Sequence, residues 1–338
     1  MSRTAVVILN YNGKELLEKF LPSVIEFSGD AQIIVADNQS TDGSRAFLQQ
    51  AFPGVALIAI PTNLGFCGGY NFALRQVEAE YYVLLNSDVE VTANWLSPIV
   101  SLLDNDAAIG AVQPKILSYR NKKQFEYAGA AGGFIDWLGY PFCRGRIFDV
   151  LEEDQGQYDD TTPIFWASGA CMAIRASLYH SMGGLDETFF AHMEEIDLCW
   201  RLNRAGHKVM YCGNSTVYHV GGATLHKSNP KKAYYNFRNG MIMLIKNLGK
   251  AQLAIALPIR LVLDWMAAIR FLFLGKGGEF MAVARAHLYV LAHLRGLASK
   301  RASGTPYMAR HIYPRPILVD YHLRGKRKFT DLRFNSPR

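Results

Sequence analysis

Four apolar runs near the start of the chain constrain its fold more than any other feature: "TAVVILN", "AQIIVADN", "VALIAI" and "YYVLLNS". Each is rich in Val, Ile or Leu, and helical patterns fill the gaps at Lys14–Phe27, Ser44–Ala51 and Gly69–Ala79. Strand–helix–strand alternation with short loops predicts an α/β fold with a Rossmann-like, mostly parallel sheet flanked by helices. Ligands of such sheets bind beyond the carboxyl ends of the strands. The polar residues that follow the apolar runs, Asn10, Asp37, Asn63 and Asp88, are therefore candidates as a group. The stretch "YYVLLNSDVE" poses the sharpest case, because a buried strand runs straight into Asn86, Ser87 and Asp88. One carboxylate holds a hard cation poorly, so a metal site at Asp88 needs partners from elsewhere in the chain.

Half of the 338 residues are apolar and 19% are charged, which suits a globular chain with a substantial core. The five cysteines are scattered without a CxxC pair. They support neither a disulfide framework nor a zinc knuckle, and a reducing cytoplasm is the expected setting. The opening "MSRTAVVILNYNG" lacks a signal-peptide layout and reads as a first strand. The formal charge of +7 is unevenly placed. Lys300–Arg338 carries ten Lys/Arg against two Asp, so the rest of the chain is close to neutral. Such a tail suits an anionic membrane surface, a nucleic acid, or simply solvent.

In "DNQSTDGS", Asp42, Gly43 and Ser44 are turn and helix-cap types. Asp37 differs, since an acidic residue ending a second strand commonly meets a nucleoside. "TNLGFCGGYN" is a Gly-rich entry to a helix, where backbone and helix N-terminus suit phosphate, although it matches neither the P-loop nor GxGxxG. Lys115–Thr162 is less regular and reads as a long insertion, either a lid or a surface loop. Glu194–Ala205 predicts a helix stopped by Gly206, followed by the strands "KVMYC" and "STVYHV". Asp197 and Arg201, four apart, are expected to pair, while Glu194 and Glu195 occupy the first turn.

The last third, from Ala251, is strongly apolar but holds Arg260, Asp264 and Arg270, and Pro258 interrupts it. These charges make a bilayer span costly. The pattern predicts amphipathic helices in a membrane interface, with Trp265 and basic residues at the headgroups; a helical cap on the sheet would show the same stripes.

Six blocks occur in order: "VVILNYNG", "DNQSTDGS", "NLGFCGGYN", "LLNSDVE", "GGLDETFFAHMEEIDLCWRLNRAG" and "YYNFRNG". As an ordered set they resemble glycosyltransferase family two, the inverting GT-A enzymes, and its rhamnosyltransferase-like branch. The resemblance spans about Thr4–Leu248, which predicts a GT-A domain over 1–248 and a helical, basic, membrane-associated extension over 249–338. It implies a nucleoside-diphosphate sugar donor, a divalent cation (Mn²⁺ or Mg²⁺) and a single displacement. Asn10, Asp37, Asn63, Gly65 and Ser87 would line the donor pocket. Asn86-Ser87-Asp88 stands at the family's DXD position, with Asn in place of the first Asp. Asp88 would hold the metal, and His219 in "VYHVGG" is similar to the family's later His ligand. A His ligand favours Mn²⁺ over Mg²⁺. Met193-Glu194-Glu195 matches the ED motif, which implies Glu195 as catalytic base, with Glu194 next. Trp166 and Arg238 are candidates for acceptor or phosphate contact.

The resemblance thus implies transfer of a sugar to a lipid-linked saccharide at the inner face of the cytoplasmic membrane, in envelope polysaccharide or O-antigen assembly. A sugar-nucleotide pyrophosphorylase would need a basic Gly-rich loop after the first strand, which is absent. A non-catalytic carbohydrate-binding scaffold is the alternative that Asn86 and the Glu-Glu pair would permit. Nucleic-acid binding is not expected, since no such motif accompanies the basic tail.

Overall fold

The computed structural model describes residues 2–221, 229–301 and 311–334. Thr4–Asn10 (β1), Gln32–Asp37 (β2), Ala56–Ala59 (β3) and Tyr81–Asn86 (β4) make the parallel half of a nine-stranded sheet, in the order β3-β2-β1-β4. Lys14–Phe27 (α1), Ser44–Ala51 (α2) and Gly65–Leu74 (α3) connect them. Side chains alternate between two cores. Ala5, Val7, Ala36 and Leu84 face α3, whereas Val6, Ile8, Val35 and Leu85 face α1 and α2. Both faces are covered, so these strands are apolar at nearly every position. A fully buried Val or Leu of this kind contributes roughly 1.5–3 kcal/mol.

The chain continues through Val89–Val91 (β5), Leu96–Asn105 (α4) and Ile109–Ser118 (β6). Gly133–Asp136 (β7), Pro141–Cys143 (β8), Arg146–Ile147 (β9) and Val150–Leu151 (β10) then open a second sheet. Thr161–Ile164 (β11), Cys171–Arg175 (β12), Ala176–Ser181 (α5), Glu194–Arg204 (α6) and Lys208–His219 (β13) return to the first, which ends β4-β12-β6-β13-β11. β12 runs antiparallel to both β4 and β6. Pro230–Asn247 (α7), Lys250–Phe273 (α8), Gly277–Ala292 (α9) and Leu294–Ser299 (α10) follow. Ile312–Tyr313 (β14) then adds a parallel strand to β7, and Ile317–His322 (α11) packs behind it.

Several expectations change. The third helix lies four residues earlier than Gly69–Ala79 at its start, because Gly65 at φ +70 turns the chain and the Asn63 side chain accepts the Gly65 N–H at 2.9 Å. The insertion over 115–162 is not one plain loop but carries the short strands β7 to β10. Its strands of two to four residues, broken by Gly139 and Gly145 at positive φ, are too short to leave a periodicity in sequence. Its acidic segment is pinned by Lys115 to Asp154 (2.8 Å) and Asp159, and by Arg144 to Asp160 (2.7 Å). "KVMYC" and "STVYHV" are one strand, β13, with a bulge between Cys212 and Thr216.

The charges of α8 divide: Trp265 and Arg270 are exposed, whereas the central pair is not. Arg260 and Asp264 do pair, at 2.9 Å, but both are buried. Arg260 donates to the Leu138 carbonyl and lies over the Tyr140 ring. Ile255, Val262, Met266, Ile269, Leu272 and Phe273 are instead exposed. Part of the basic tail is folded: Asp320 is buried and accepts from Tyr313 and Arg324, and Phe329 and Phe334 pack on Phe134. The tail residues 302–310 and 335–338 lie outside the described residues.

Candidate functional site

Register places Asn10 beside Asp37, and Leu9 beside Asn86, so three predicted residues share one sheet edge. Asn10 Nδ2 donates to Asp37 Oδ1 at 3.0 Å, and the Ser40 N–H and Arg45 Nε both donate to Asp37 Oδ2. Burial works against the Asp37 charge, but these donors outweigh it and hold the carboxyl below its ordinary value. Asn10 Oδ1 is buried with no donor. Gly13 must be glycine here, since a Cβ would stand 2.5 Å from Asn10 Oδ1, and its next neighbour is Ser87 Oγ. Asp42 caps both flanking helices, accepting from the Lys14 N–H (2.8 Å) and the Ser44 N–H (3.0 Å).

The Gly-rich entry to α3 is used for packing. The Phe66 and Cys67 N–H groups donate to the Phe190 carbonyl, at 2.9 and 3.3 Å, so protein rather than phosphate closes this helix start. A Cβ on Gly65 would meet the Phe190 ring at 2.6 Å, and one on Gly69 would meet Leu9 at 2.7 Å. Asn63 joins this corner through Asn38, which donates to its Oδ1 at 3.1 Å.

His219, at the end of β13, meets Asp88 just beyond β4. His219 Nε2 lies 3.1 Å from Asp88 Oδ1 and 3.4 Å from Asn86 Nδ2. Its Nδ1 lies 3.1 Å from Glu126 Oε2, out of line for a hydrogen bond. Glu126 had no signal in sequence; only the packing of the insertion against β13 delivers it. The Ala128 N–H holds it at 2.6 Å, and Gly221 leaves room for it, since a Cβ there would be 2.6 Å from Glu126 Oε1. Burial opposes the imidazolium, but Glu126 and Asp88 together raise His219 to about 10. Burial likewise opposes the Asp88 charge, and His219 more than compensates, lowering that carboxyl.

This pair suits a divalent cation. One carboxylate oxygen and one imidazole nitrogen converge, and a cation would replace the proton that two acidic neighbours hold on His219. Among the described residues no three His, Cys, Asp or Glu side chains gather into a metal site, so a bound ion would need further ligands from substrate or water.

Glu194 and Glu195 open α6 after a contorted approach. Phe190, His192 and Met193 all have positive φ, between 63° and 74°, a region that side chains rarely adopt. Asn239 of α7 holds that approach, donating Nδ2 to the Phe189, Ala191 and His192 carbonyls at 2.7–3.0 Å. Arg238 assists: its Nη2 donates to the Thr188 and Phe189 carbonyls. Arg238 is thus committed to this loop rather than to an open anion site, and "RN" in the sequence marks a clamp. Glu194 Oε2 and Glu195 Oε2 are both buried without a partner. Burial pushes the Glu195 carboxyl up to about 7, against stabilising N–H groups at the helix start. Burial and the Glu195 charge push Glu194 well above its ordinary value. Gly169 ties the pair to the sheet edge: a Cβ there would meet Phe66 at 3.3 Å and Glu195 Cβ at 3.9 Å, while the adjacent Ala170 carbonyl accepts the Asn86 N–H.

Trp166 lies deeper. Its Nε1 donates to the Phe134 carbonyl at 3.0 Å, and its ring fills the place where a Gly133 Cβ would be. It is 3% exposed and belongs to the core between the two sheets. Asp197 is structural as well, held by Arg201, Lys246 and Asn247.

The parallel β3-β2-β1-β4 half-sheet, the polar edge and the acidic first turn of α6 define a GT-A glycosyltransferase fold. The model of glycosyl transferase family 2 matches residues 5–182, and the chain belongs to that family. Among its relatives is the N-acetylglucosaminyl-diphospho-decaprenol L-rhamnosyltransferase of Mycobacterium tuberculosis, 27% identical over 63% of this chain and 75% of the relative. A second is the low-salt glycan biosynthesis hexosyltransferase Agl10 of Haloferax volcanii, 24% identical over 83% of this chain and 88% of the relative. A mannosyltransferase from Pyrobaculum calidifontis, solved with GDP-Man and Mn²⁺, shares the fold at TM-score 0.51 and 16% identity, over 90% of this chain and 76% of that one.

Proposed function

We propose that this glycosyltransferase moves a sugar, with inversion, from a nucleoside-diphosphate sugar to a hydroxyl of a lipid-linked saccharide in cell-envelope polysaccharide or O-antigen assembly. The observation that carries the chemistry is the Glu194–Glu195 pair, each with a buried, unpartnered oxygen, with Glu195 beside Gly169 and so one residue from the Ala170 carbonyl that binds Asn86 at the end of β4. Glu195 is the base. A carboxyl near pH 7 is ionised often enough to take a proton and basic enough to want it. Glu194 beside it is likewise pushed well above its ordinary value, by burial and then by the Glu195 charge. The acceptor hydroxyl gives its proton to Glu195 as its oxygen bonds the anomeric carbon. The bond from that carbon to the diphosphate breaks on the opposite face, so the configuration inverts.

Asn10, with its free Oδ1, and Ser87 beside it serve the nucleotide, and the Asp37–Arg45 pair stiffens that wall. Asn63 and Gly65 close the pocket from α3. Asp88 and His219 would hold a divalent cation, Mn²⁺ or Mg²⁺, whose charge would offset the departing diphosphate. Glu126, 3.1 Å from Nδ1, sets a negative charge behind the imidazole whose Nε2 faces Asp88. The lipid-linked acceptor is supported by the mycobacterial relative's name, which specifies a diphospho-decaprenol substrate for that enzyme. The exposed apolar face of α8, with the Arg260–Asp264 pair turned inward and Arg270 exposed, supports peripheral attachment of residues 249–338 to the inner face of the cytoplasmic membrane, with 1–248 as the catalytic domain. α8 is long and apolar enough to cross a bilayer, but its buried Arg260–Asp264 pair is bound to the second sheet, which favours lying on the surface.

A donor screen tests the reading. Purified protein, Mn²⁺ or Mg²⁺ and a panel of UDP-, dTDP- and GDP-sugars are assayed for released nucleoside diphosphate, with and without membrane lipid extract. Metal-dependent release with one donor, stimulated by lipid extract, is expected. Release that ignores both the cation and the extract would refute the cation and lipid-acceptor parts.

A further inference from the structure

Away from the sheet edge, the first turn of α7 and the middle of α9 enclose a cleft of about 610 Å³. Its walls include Lys231, Tyr234, Arg285 and Tyr289. Gly278 brings the start of α9 against α7, since a Cβ on it would stand 2.9 Å from the Pro230 ring. Two helix N-termini thus meet at the cleft, and each carries partial positive charge. Lys231 and Arg285 are exposed and form no ion pair with a carboxylate among the described residues.

The cleft has two further sides. On one, Leu288 of its wall is 65% exposed and continues into Met281 and Leu291 of α9 and the bare apolar face of α8. On the other, the Arg238 guanidinium lies 5.2 Å from the Tyr234 ring centre and 5.0 Å from that of Tyr289. The same guanidinium binds the Thr188 and Phe189 carbonyls of the loop that leads to Glu194 and Glu195. An occupant therefore needs an anionic group for the cleft, a long apolar chain for the outer face, and a polar end toward the acidic loop.

We propose that this cleft binds the diphosphate of the lipid-linked acceptor, with the lipid chain along α8 and α9 and the saccharide directed to Glu195. The proposal rests on the transferase reading above and adds the acceptor subsite, with Lys231 and Arg285 as its anion ligands. Pockets of this size accommodate a small polar headgroup.

The test compares the full-length protein with K231A/R285A, both substitutions being at exposed positions. Binding is measured to phosphatidylcholine vesicles doped with a polyprenyl diphosphate, and to vesicles of equal surface charge made with phosphatidylglycerol. Inorganic pyrophosphate serves as a soluble competitor. The wild-type protein should prefer the diphosphate vesicles. The double variant should lose roughly 100-fold on them, from two charge-assisted contacts to the diphosphate, and far less on the phosphatidylglycerol vesicles, so that the preference disappears. The KM for a polyprenyl-diphosphate saccharide should rise to match, with the donor KM unchanged. Equal losses on both vesicle types would overturn the proposal in favour of a general charge effect. Competition by free pyrophosphate as strong as by the lipid would overturn it in favour of a soluble-anion site. An unchanged acceptor KM would also overturn it. If the wild-type protein turns over no donor, the transferase reading fails instead, and the vesicle preference still decides what the cleft binds.

Discussion

Glu195→Gln should make the enzyme inactive and, at alkaline pH, more stable. The carboxyl sits at about 7 in the fold against an ordinary value of 4.5. At 1.36 kcal/mol per pKa step, this gap amounts to roughly 3 kcal/mol. The folded value is the higher one, so the native state holds the proton more tightly than the unfolded chain. The contribution is therefore fully present below 4.5 and is lost as pH rises through 7. Gln resembles the protonated acid and has no charge to lose. At about pH 8 the variant should melt higher than wild type by roughly 4 °C for a chain of this size, and at about pH 4 the two should coincide. Turnover should fall by about 10²–10⁴-fold, the usual share of a positioned base, with nucleotide affinity near normal. Paired melting curves at the two pH values and released nucleoside diphosphate give both readouts. Normal turnover would move the base elsewhere. An equal melting gain at both pH values would show that the Glu195 charge is not the destabilised species.

Glu126→Gln should weaken Mn²⁺ binding by about 10–100-fold, read from the free-Mn²⁺ resonance without any turnover, because the ligating imidazole loses the carboxylate charge behind it; unchanged affinity would remove Glu126 from that role. Asn239→Ala strips the partner from three carbonyls of a strained loop and should cost roughly 2–4 kcal/mol in urea unfolding, with activity falling more than nucleotide affinity. A loss under 1 kcal/mol, on the order of an ordinary surface change, would show that the loop holds itself. Removing everything after Leu248 would also strip β14 and the Phe329–Phe334 contacts from the second sheet, so surface substitution is the cleaner membrane test. V262S/M266S/L272S should release the protein from anionic liposomes at unchanged melting temperature; undiminished binding would leave the α8 face without that role.

Much of the half-sheet was readable in advance. β1, β2 and β4 are buried on both faces, and such strands write themselves as unbroken apolar runs. α1 and α2 begin and end where their patterns place them, because Gly13, Asp42 and Gly43 punctuate the chain locally. The second sheet left no such trace. Its strands are too short for a period, and its last strand comes from residues some 180 positions downstream.

The site divides in the same way. Sequence alone determined the residues whose meaning is local: polar ends of apolar strands, the acidic opening of α6, and the pairing of Asp197 with Arg201 one helical turn on. Tertiary structure decided whatever depends on what stands opposite. It brought Glu126 to His219, turned Arg238 and Asn239 into a clamp for the Phe190–Met193 turn, and assigned the α3 N–H groups to the Phe190 carbonyl. It also turned Arg260 and Asp264 inward and left the apolar side of α8 bare. A stripe on a helix states that two faces differ. Which face is covered depends on the free energy of the contacts available to each, and those are made only when distant segments meet.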